Sequence, residues 1–339
     1  MAKRKKKRHL KIIPFFILLL LISGGIHYGV QYVQKQENLR GLLITKKQKE
    51  EEERIKKEQE ENYKACLTRE FNEEEMTEAL EKKQKEVDAF ITANRYQTSV
   101  LYEDLTTGFS YTYKPTTVYY GCSLIKIVDA IYLINKAIAG EVDLDTETVT
   151  YTANYKKAFS SGMATRSIGE KVTLRDLITY AITVSDNSAH LMLLDYIGFN
   201  TLKAYGQSLG AKVILTGGDN FGNQTAEDTN IYLKEAYKII TENEEYGPFL
   251  KSIMDNNERN AFNTDEIKIY HKYGSYGDYY HDIGLSLDDE NPYAISILTL
   301  HENSGYLQVV QGIHEKIREL HSAFYENRKS MCQLEVYGK

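Results

Sequence analysis

The chain has 339 residues, of which 42% are hydrophobic, so it is long enough for one large or two small domains with a sizeable core. The first 11 residues contain seven Lys or Arg and no acid, and without these seven charges the formal net charge of −6 becomes −13. An acidic main part argues against nucleic acid or another anionic polymer as the principal partner. The cysteines Cys66, Cys122 and Cys332 lack metal-ligand spacing and cannot all pair within the chain, so a disulfide scaffold is not expected.

An apolar segment follows the basic residues 1–11. From Ile12 to Val33 it is long enough to cross a bilayer with ~30 Å of hydrocarbon as a helix. The basic flank should stay in the cytoplasm, which places the chain after about residue 34 outside the cell. A cleaved signal peptide is the alternative interpretation, but no Ala-X-Ala site follows the apolar residues. We therefore predict an uncleaved, single-pass anchor at residues 12–33 and a location in the cell membrane.

Residues 34–71 are rich in Glu and Lys and contain few apolar positions. Because both residue types are good helix formers, this segment is predicted to be a helical stalk. A coiled-coil contact would need sustained apolar heptads, which this segment lacks. We interpret residues 34–71 as a solvated spacer between the membrane and the rest of the chain.

Residues 72–330 are predicted to form the globular domain, followed by a tail at 331–339. The predicted strands cover residues 98–105, 109–113, 267–273, 279–287 and 293–300. The predicted helices cover residues 72–93, 123–139, 173–184, 188–197, 201–209, 225–240, 248–254 and 306–326. This order indicates an α+β fold in which the two ends share one antiparallel sheet flanked by helices, with an all-helical subdomain inserted between them.

Ser123 and Lys126 lie at the start of an apolar helix that Gly140 ends. Three residues apart, they occupy the same helix face, so the lysine amine can reach the serine hydroxyl. A lysine accepts a proton only when it is neutral, so its pKa has to fall from ~10.4 through burial or a neighbouring positive charge. The pair therefore suggests a serine nucleophile with a lysine as its base.

Three short motifs occur in a fixed order: Ser123-Leu124-Ile125-Lys126, Ser185-Asp186-Asn187 and Lys272-Tyr273-Gly274. Taken singly, a helix cap, a turn of small polar residues and an exposed strand lysine would explain them. Together and in their expected settings, they resemble the Ser-X-X-Lys, Ser-Asp-Asn and Lys-Thr-Gly set of class A β-lactamases and penicillin-binding proteins. The resemblance extends over about residues 75–328 and implies that family's α+β fold.

The resemblance also implies roles in acyl transfer. Ser123 would attack an amide carbonyl, and Lys126 would take its proton. Ser185 would relay a proton to the leaving nitrogen. The backbone N–H groups of Ser123 and Ser275 would form an oxyanion hole, which typically contributes a few kcal/mol to such reactions.

Four residues are implied in substrate recognition. Asn187 would hold the substrate's side-chain amide, and Lys272 would attract its carboxylate while keeping Lys126 neutral. Tyr273 and Gly274 would line the substrate site on the same strand. No metal or cofactor is expected.

Two departures from the family pattern concern substrate entry and hydrolysis. Tyr273 replaces the small Thr or Ser whose hydroxyl would contact the substrate carboxylate. The stretch that corresponds to the glutamate-bearing loop of class A β-lactamases, about residues 212–224, contains no glutamate. Asp219 is its only acid, and Glu227 belongs to the following helix cap. Acylation is therefore expected to proceed while deacylation is slow.

The sequence thus predicts a membrane-anchored, extracellular serine acyl-enzyme hydrolase that acts on β-lactams or on D-alanyl peptides of the peptidoglycan cell wall. Slow deacylation would make it trap penicillin, as penicillin-binding proteins do. The alternative is a catalytically degenerate family member that binds wall peptide or a protein partner without turnover. Tyr273 and the missing glutamate favour this alternative.

Overall fold

The computed structural model describes residues 12–94, 96–216, 218–259, 261–262, 268–288, 290–300 and 305–338. The chain forms two compact units, one of Met1–Leu67 with Cys332–Lys339 and one of Thr68–Met331. The predicted cytoplasmic segment at 1–11 and the predicted start of a strand at Ile267 lie outside the described residues.

The first unit consists mainly of one helix, α1 (Ile12–Thr68), which has 57 residues. It joins the predicted anchor and stalk without a break. Near the N-terminus it is long and apolar enough to cross a membrane, by length and composition, and its apolar window is not buried inside the protein. Along the charged part, ion pairs one helical turn apart, such as Lys46 with Glu50, are exposed and contribute little stability.

A disulfide joins Cys66 to Cys332 in the first unit, with their Cα atoms 5.7 Å apart. This single bond was not predicted from the sequence, although it is not the disulfide scaffold that the sequence argued against. The two cysteines are 266 positions apart, a separation that carries no spacing signal. Cys122 is a free, buried cysteine.

The second unit contains nine described strands and most of the helices. The strands are β1 (Gln97–Asp104), β2 (Ser110–Tyr113), β3 (Tyr119–Tyr120), β4 (Thr148–Thr150), β5 (Lys171–Thr173), β6 (Asn223–Gln224), β7 (Ile269–Tyr276), β8 (Tyr279–Ser286) and β9 (Tyr293–Leu300). The helices are α2 (Glu78–Ala93), α3 (Ile125–Ile138), α4 (Leu174–Thr183), α5 (Asn187–Ile197), α6 (Phe199–Leu209), α7 (Ala226–Glu242), α8 (Gly247–Asp255) and α9 (Tyr306–Tyr337), of which the last continues into the first unit.

Five antiparallel strands form the main sheet, in the order β2-β1-β9-β8-β7. Strand β1 pairs with β9 along its whole length, from Gln97 opposite Leu300 to Asp104 opposite Tyr293. The two ends of the domain therefore share one sheet with the helical segment inserted between them, which confirms the predicted α+β fold.

Three local features differ from the sequence prediction. Helix α9 continues to Tyr337, through the segment that was expected to be a tail. The nucleophile segment begins as a 3₁₀ turn, Cys122–Leu124, before α3 starts. The short pairs β3–β6 and β4–β5 were not predicted, because strands of two or three residues are too short to show an alternating pattern.

Two apolar clusters cover the two faces of the sheet. One contains residues of the inserted helices, including Leu133, Ile178 and Leu233, and the other is built around α2 and α9. Helix α3 lies within the first cluster, and its buried side chains are apolar except for Lys126 and Asp129. Burying an ionisable group costs free energy unless it is paired, so these two residues indicate a specialised environment at the start of α3.

Candidate active site

The turn that carries Ser123 is held from two sides. The Gly121 N–H donates to the Gly222 carbonyl at 2.8 Å, and His281 Nε2 donates to the Tyr120 carbonyl at 2.8 Å. Cys122 has φ 50°, a left-handed conformation that is uncommon for a residue with a side chain. Ser123 itself is half-buried. A constrained backbone thus presents a partly accessible serine at the entrance to α3.

Lys126 is fully buried one helical turn after Ser123. Its Nζ lies 2.5 Å from the Ser185 carbonyl oxygen, 2.7 Å from Asn187 Oδ1 and 2.9 Å from Ser123 Oγ. A neutral amine has two N–H groups and one lone pair. Because the Ser185 carbonyl and the Asn187 amide oxygen can only accept, they take the two N–H groups and leave the lone pair for the Ser123 proton. The geometry suits a lysine that accepts a proton from this serine.

Burial lowers the pKa of Lys126 from its ordinary value to about 7. The carboxylates of Asp186 and Asp129 oppose this shift, but their effect is smaller than the loss of hydration. A substantial fraction of Lys126 is therefore neutral near pH 7, which is the form that a base requires.

Ser185 lies between the two lysines of the motifs. Its Oγ is 3.0 Å from Lys272 Nζ and 3.3 Å from Lys126 Nζ. Its φ of 52° is again left-handed, and the following Asp186 is buried and caps α5 by accepting from the Ala189 N–H at 2.9 Å. The capped turn places one hydroxyl within hydrogen-bond distance of both amines.

Lys272 on β7 is fully buried, like Lys126. Besides Ser185 Oγ, its Nζ donates to the Tyr273 carbonyl at 2.8 Å and lies 4.2 Å from the centroid of the Tyr273 ring. Burial, and then the neighbouring Lys126, lower the pKa of Lys272. The charge of protonated Lys126 thus disfavours protonation of Lys272, whereas the lowered pKa of Lys126 is due to its burial.

Gly274 and Ser275 follow on β7, the edge strand of the sheet, which packs against the nucleophile turn. A Cβ at position 274 would lie 3.1 Å from both the Gly121 carbonyl oxygen and the Ser123 nitrogen. Glycine thus permits the close approach of the two segments. Ser275 is the residue that follows this contact on β7.

Asn187 faces Lys126 with its oxygen and another segment with its nitrogen. While Oδ1 accepts from Lys126, Nδ2 donates to the Ala158 carbonyl at 3.0 Å. These contacts orient the amide, so that its oxygen rather than its nitrogen points at the lysine.

Tyr273 makes a contact that sequence reasoning missed. Its ring is almost fully buried, and its hydroxyl donates a hydrogen bond to the carboxylate of Glu258. Burial, together with this bond, raises the pKa of Tyr273 above its usual range, so the hydroxyl keeps its proton. The Arg259 guanidinium lies 5.5 Å from the ring centroid. Glu258 and Arg259 follow α8 in a stretch with no recognisable motif.

The loop before β6 places an aromatic ring, not a carboxylate, near the lysine. The Phe221 ring centroid lies 5.7 Å from Lys126 Nζ. Asp219 accepts from the backbone N–H groups of Phe221 and Gly222 at 2.8 and 2.7 Å, and thereby forms the turn. Among the described residues, no carboxylate is hydrogen-bonded to Ser123 or Lys126.

A buried pair beneath this loop was also missed. His190 Nδ1 lies 2.6 Å from Asp129 Oδ2, and its Nε2 donates to the Asn220 carbonyl at 3.0 Å. Neither side chain is exposed, and burial raises the pKa of Asp129. The pair fixes the loop next to Phe221. The sequence signal that could have revealed the pair is Asp129, an acidic residue within the apolar segment 127–134.

No group of three or more His, Cys, Asp or Glu within the described ranges is arranged to hold a metal ion. Every polar contact of the site described above is made by the chain's own side chains and backbone.

Comparison with solved structures supports the fold. PBP-A, a mutant of which is known as the acyl-enzyme complex with penicillin G, matches with a TM-score of 0.66 and 15% identity over 72% of this chain and 97% of that chain. A β-lactamase from Sphaerobacter thermophilus matches with a TM-score of 0.63 and 17% identity, over 71% of this chain and 97% of that chain. A representative of class A β-lactamases from Bacteroides cellulosilyticus matches with a TM-score of 0.64 and 19% identity, over 73% of this chain and 100% of that chain.

Identities this low establish a shared fold and no more. No curated protein sequence matches the chain. The sequence model of the β-lactamase enzyme family, however, matches residues 82–320, which is most of the second unit. The chain therefore belongs to the β-lactamase enzyme family and has the fold of class A β-lactamases and penicillin-binding proteins.

Proposed function

We propose that the protein is a serine acyl-enzyme hydrolase in which Ser123 is the nucleophile and Lys126 is the base. The observation that carries the proposal is the 2.9 Å contact between Lys126 Nζ and Ser123 Oγ, with both amine N–H groups engaged by other acceptors. A nucleophile and a base within hydrogen-bond distance, with the base oriented by further groups, is the arrangement that activates serine.

In the acylation step, Ser123 Oγ forms a bond to the carbonyl carbon of the substrate amide while its proton moves to Lys126 Nζ. The carbonyl oxygen becomes an oxyanion. Support for its stabilisation comes from the close approach of Gly274, next to Ser275, to the turn of Ser123.

The tetrahedral intermediate then collapses, and the bond between carbon and nitrogen breaks. The leaving nitrogen takes the proton from Ser185 Oγ, which is replenished from Lys126. Ser185 suits this relay because its hydroxyl lies 3.3 Å from Lys126 Nζ and 3.0 Å from Lys272 Nζ. A positioned proton donor of this kind contributes typically ~10²- to 10⁴-fold.

The proposed substrates are β-lactams or D-alanyl peptides of peptidoglycan. This proposal is supported by family membership and by the similarity to PBP-A, which is known as a penicillin G acyl-enzyme. Asn187 would bind the substrate's side-chain amide. Lys272 would contribute positive charge when it is protonated, a state that its lowered pKa disfavours in the free protein. Tyr273 and Gly274 would border the substrate on β7.

Deacylation is proposed to be slow. Near Lys126 the loop offers the ring of Phe221, and the carboxylate of Asp219 is used by backbone N–H groups. Hydrolysis of the acyl-enzyme needs a base that activates water, and neither residue provides one.

The domain is proposed to act outside the cell, anchored by α1. Support comes from the apolar start of this helix, from the basic residues 1–11 that precede it and from the exposed charged continuation. On this basis residues 12–33 cross the membrane, 34–71 form the spacer and 72–330 form the hydrolase domain.

A second candidate function is binding of wall peptide or a protein partner without turnover. The hydrogen bond of Tyr273 to Glu258 favours it, because it engages a residue that would otherwise meet substrate. Both functions are compatible with the fold, and they differ in whether Ser123 becomes acylated.

The test is intact-protein mass spectrometry of the full chain in detergent after exposure to a penicillin. A persistent adduct on the wild type and on Ser110→Ala, a control on an exposed strand, but not on Ser123→Ala, is expected. No adduct together with consumed penicillin would mean rapid turnover and contradict slow deacylation. No adduct together with intact penicillin would overturn the hydrolase proposal in favour of binding alone.

A further inference from the structure

The Tyr273 hydroxyl is engaged inside the protein. A phenol has one proton to donate, and here that proton goes to the Glu258 carboxylate. Since the raised pKa of Tyr273 keeps the hydroxyl neutral and the bond intact, the hydroxyl has no proton left for a carboxylate on a substrate.

The Lys272 amine is enclosed as well. Its Nζ donates to Ser185 Oγ and to the Tyr273 carbonyl, and the Tyr273 ring lies 4.2 Å away in a further direction. The side chain has no exposed surface. A substrate carboxylate therefore cannot form a direct ion pair with Lys272 unless the ring moves.

Glu258 adds a negative charge at the same place. Its backbone N–H donates to the Thr183 carbonyl at 3.0 Å, which fixes it beside the end of α4, two residues before Ser185. The charge reaches the catalytic groups, because Glu258 acts to raise the pKa of both Lys272 and Lys126. Because this carboxylate is held against the Tyr273 hydroxyl, it repels an anionic group that approaches the same part of β7.

We propose that Glu258, held by Tyr273, is a specificity-determining residue that disfavours substrates with a free carboxylate beside the scissile amide. The favoured substrates are then acyl compounds that are neutral or positively charged at that position, such as internal peptide bonds, amides or esters. This inference rests on the proposed acyl-enzyme chemistry of Ser123 and revises the order of its substrates, because β-lactams and D-alanyl peptides with a free carboxylate become the slower-reacting ones.

Arg259 is a positively charged neighbour that opposes the repulsion of a carboxylate by Glu258. It is exposed, and its guanidinium lies 5.5 Å from the Tyr273 ring centroid. Guanidinium groups bind carboxylates well, so Arg259 is the residue that would recruit an anionic substrate if the inference were wrong.

The test compares two probes that differ in one charge, benzylpenicillin and its methyl ester. Their acylation rates are measured on the full chain by mass spectrometry, and the ratio of ester rate to acid rate is the readout. The variants are Glu258→Gln, Arg259→Gln and, as a matched control for net charge, Glu81→Gln on α2, whose carboxylate pairs with Lys85.

The wild type and Glu81→Gln are expected to react at least about fivefold faster with the ester, since a unit charge a few ångströms away changes a rate by roughly this factor. Glu258→Gln should bring the ratio close to one by accelerating reaction with the acid. Arg259→Gln should raise the ratio further.

Two results would overturn the inference, and they differ in what else they overturn. A faster reaction with the acid in the wild type, dependent on Ser123 and lost in Arg259→Gln, would reject the discrimination against carboxylates while the proposed function stands. Failure of both probes to acylate Ser123 would reject the proposed function and the inference with it.

Discussion

The two halves of the active site, one around Ser123 and one around Tyr273, follow the family pattern to different degrees. On the nucleophile half, Ser123, Lys126 and Ser185 keep the expected residues, and Lys126 Nζ lies 2.9 Å from Ser123 Oγ and 3.3 Å from Ser185 Oγ. On the recognition half, Tyr273 replaces a small hydroxyl residue and bonds to Glu258. Acyl transfer depends on the positions of a few atoms and tolerates little change. Recognition depends on the shape and charge around them, and one bulky residue with one loop carboxylate is enough to alter it.

The largest expected effect belongs to the nucleophile half. Lys126→Met removes the base while keeping a side chain of similar length, so the acylation rate by penicillin methyl ester should fall by about 10³-fold. Lys136→Met serves as the control, because Lys136 lies at the far end of α3 and pairs with Glu141. A rate within about tenfold of the wild type in Lys126→Met would mean that another group takes the Ser123 proton.

The pH dependence gives the next largest effect. Because burial lowers the pKa of Lys126 to about 7, the protonated form that cannot accept a proton predominates below that pH. The acylation rate should therefore fall about tenfold per pH unit below 7 and level off above it. Rates measured with the uncharged ester between about pH 5.5 and 8.5 test this, since the probe itself carries no titrating carboxylate. A rate independent of pH across that range would refute the assignment of the base.

Phe221→Glu would place a carboxylate on the loop next to Lys126. If slow deacylation reflects the missing base, the lifetime of the penicillin adduct should shorten by about tenfold, the lower part of the range for a positioned base. The new charge also raises the pKa of Lys126, so acylation at pH 7 should slow at the same time. Phe221→Gln, similar in size but without the charge, should leave the lifetime long. Equal lifetimes in the two variants would show that the loop does not limit deacylation.

The smallest effect is expected on the recognition half. Tyr273→Phe keeps the ring beside Lys272 and removes only the hydroxyl, which donates to Glu258 and can still accept from Ser185. Acylation by the uncharged ester should therefore change by less than about threefold, the size of one lost hydrogen bond outside the reaction centre. If the acylation rate fell as much in Tyr273→Phe as in Lys126→Met, the Tyr273 hydroxyl would take part in acyl transfer. The distinction between nucleophile and recognition residues would then be wrong.

The sheet and the three motifs could be predicted from local patterns. Strands such as β9 show an apolar run bounded by turn residues, and α3 shows an apolar helix ended by Gly140. Motif order along the chain was enough to name the family and to propose Ser123 and Lys126 as partners.

The remaining features depend on contacts between distant parts of the chain. Asp129 meets His190 at a separation of 61 residues, and Tyr273 meets Glu258 at a separation of 15. Nothing in the composition near Glu258 distinguishes it from the other exposed glutamates. Such pairs are determined by tertiary packing, which local periodicity does not encode.

The disulfide between Cys66 and Cys332 closes a covalent ring that includes the whole second unit. A single proteolytic cut anywhere between these cysteines would open the ring but release neither fragment from α1. The fragment before the cut stays joined through the peptide chain, and the fragment after it stays joined through Cys332. The chain can therefore be cut once between the two cysteines without separating either fragment from α1, and separation requires a second cut or reduction of the bond.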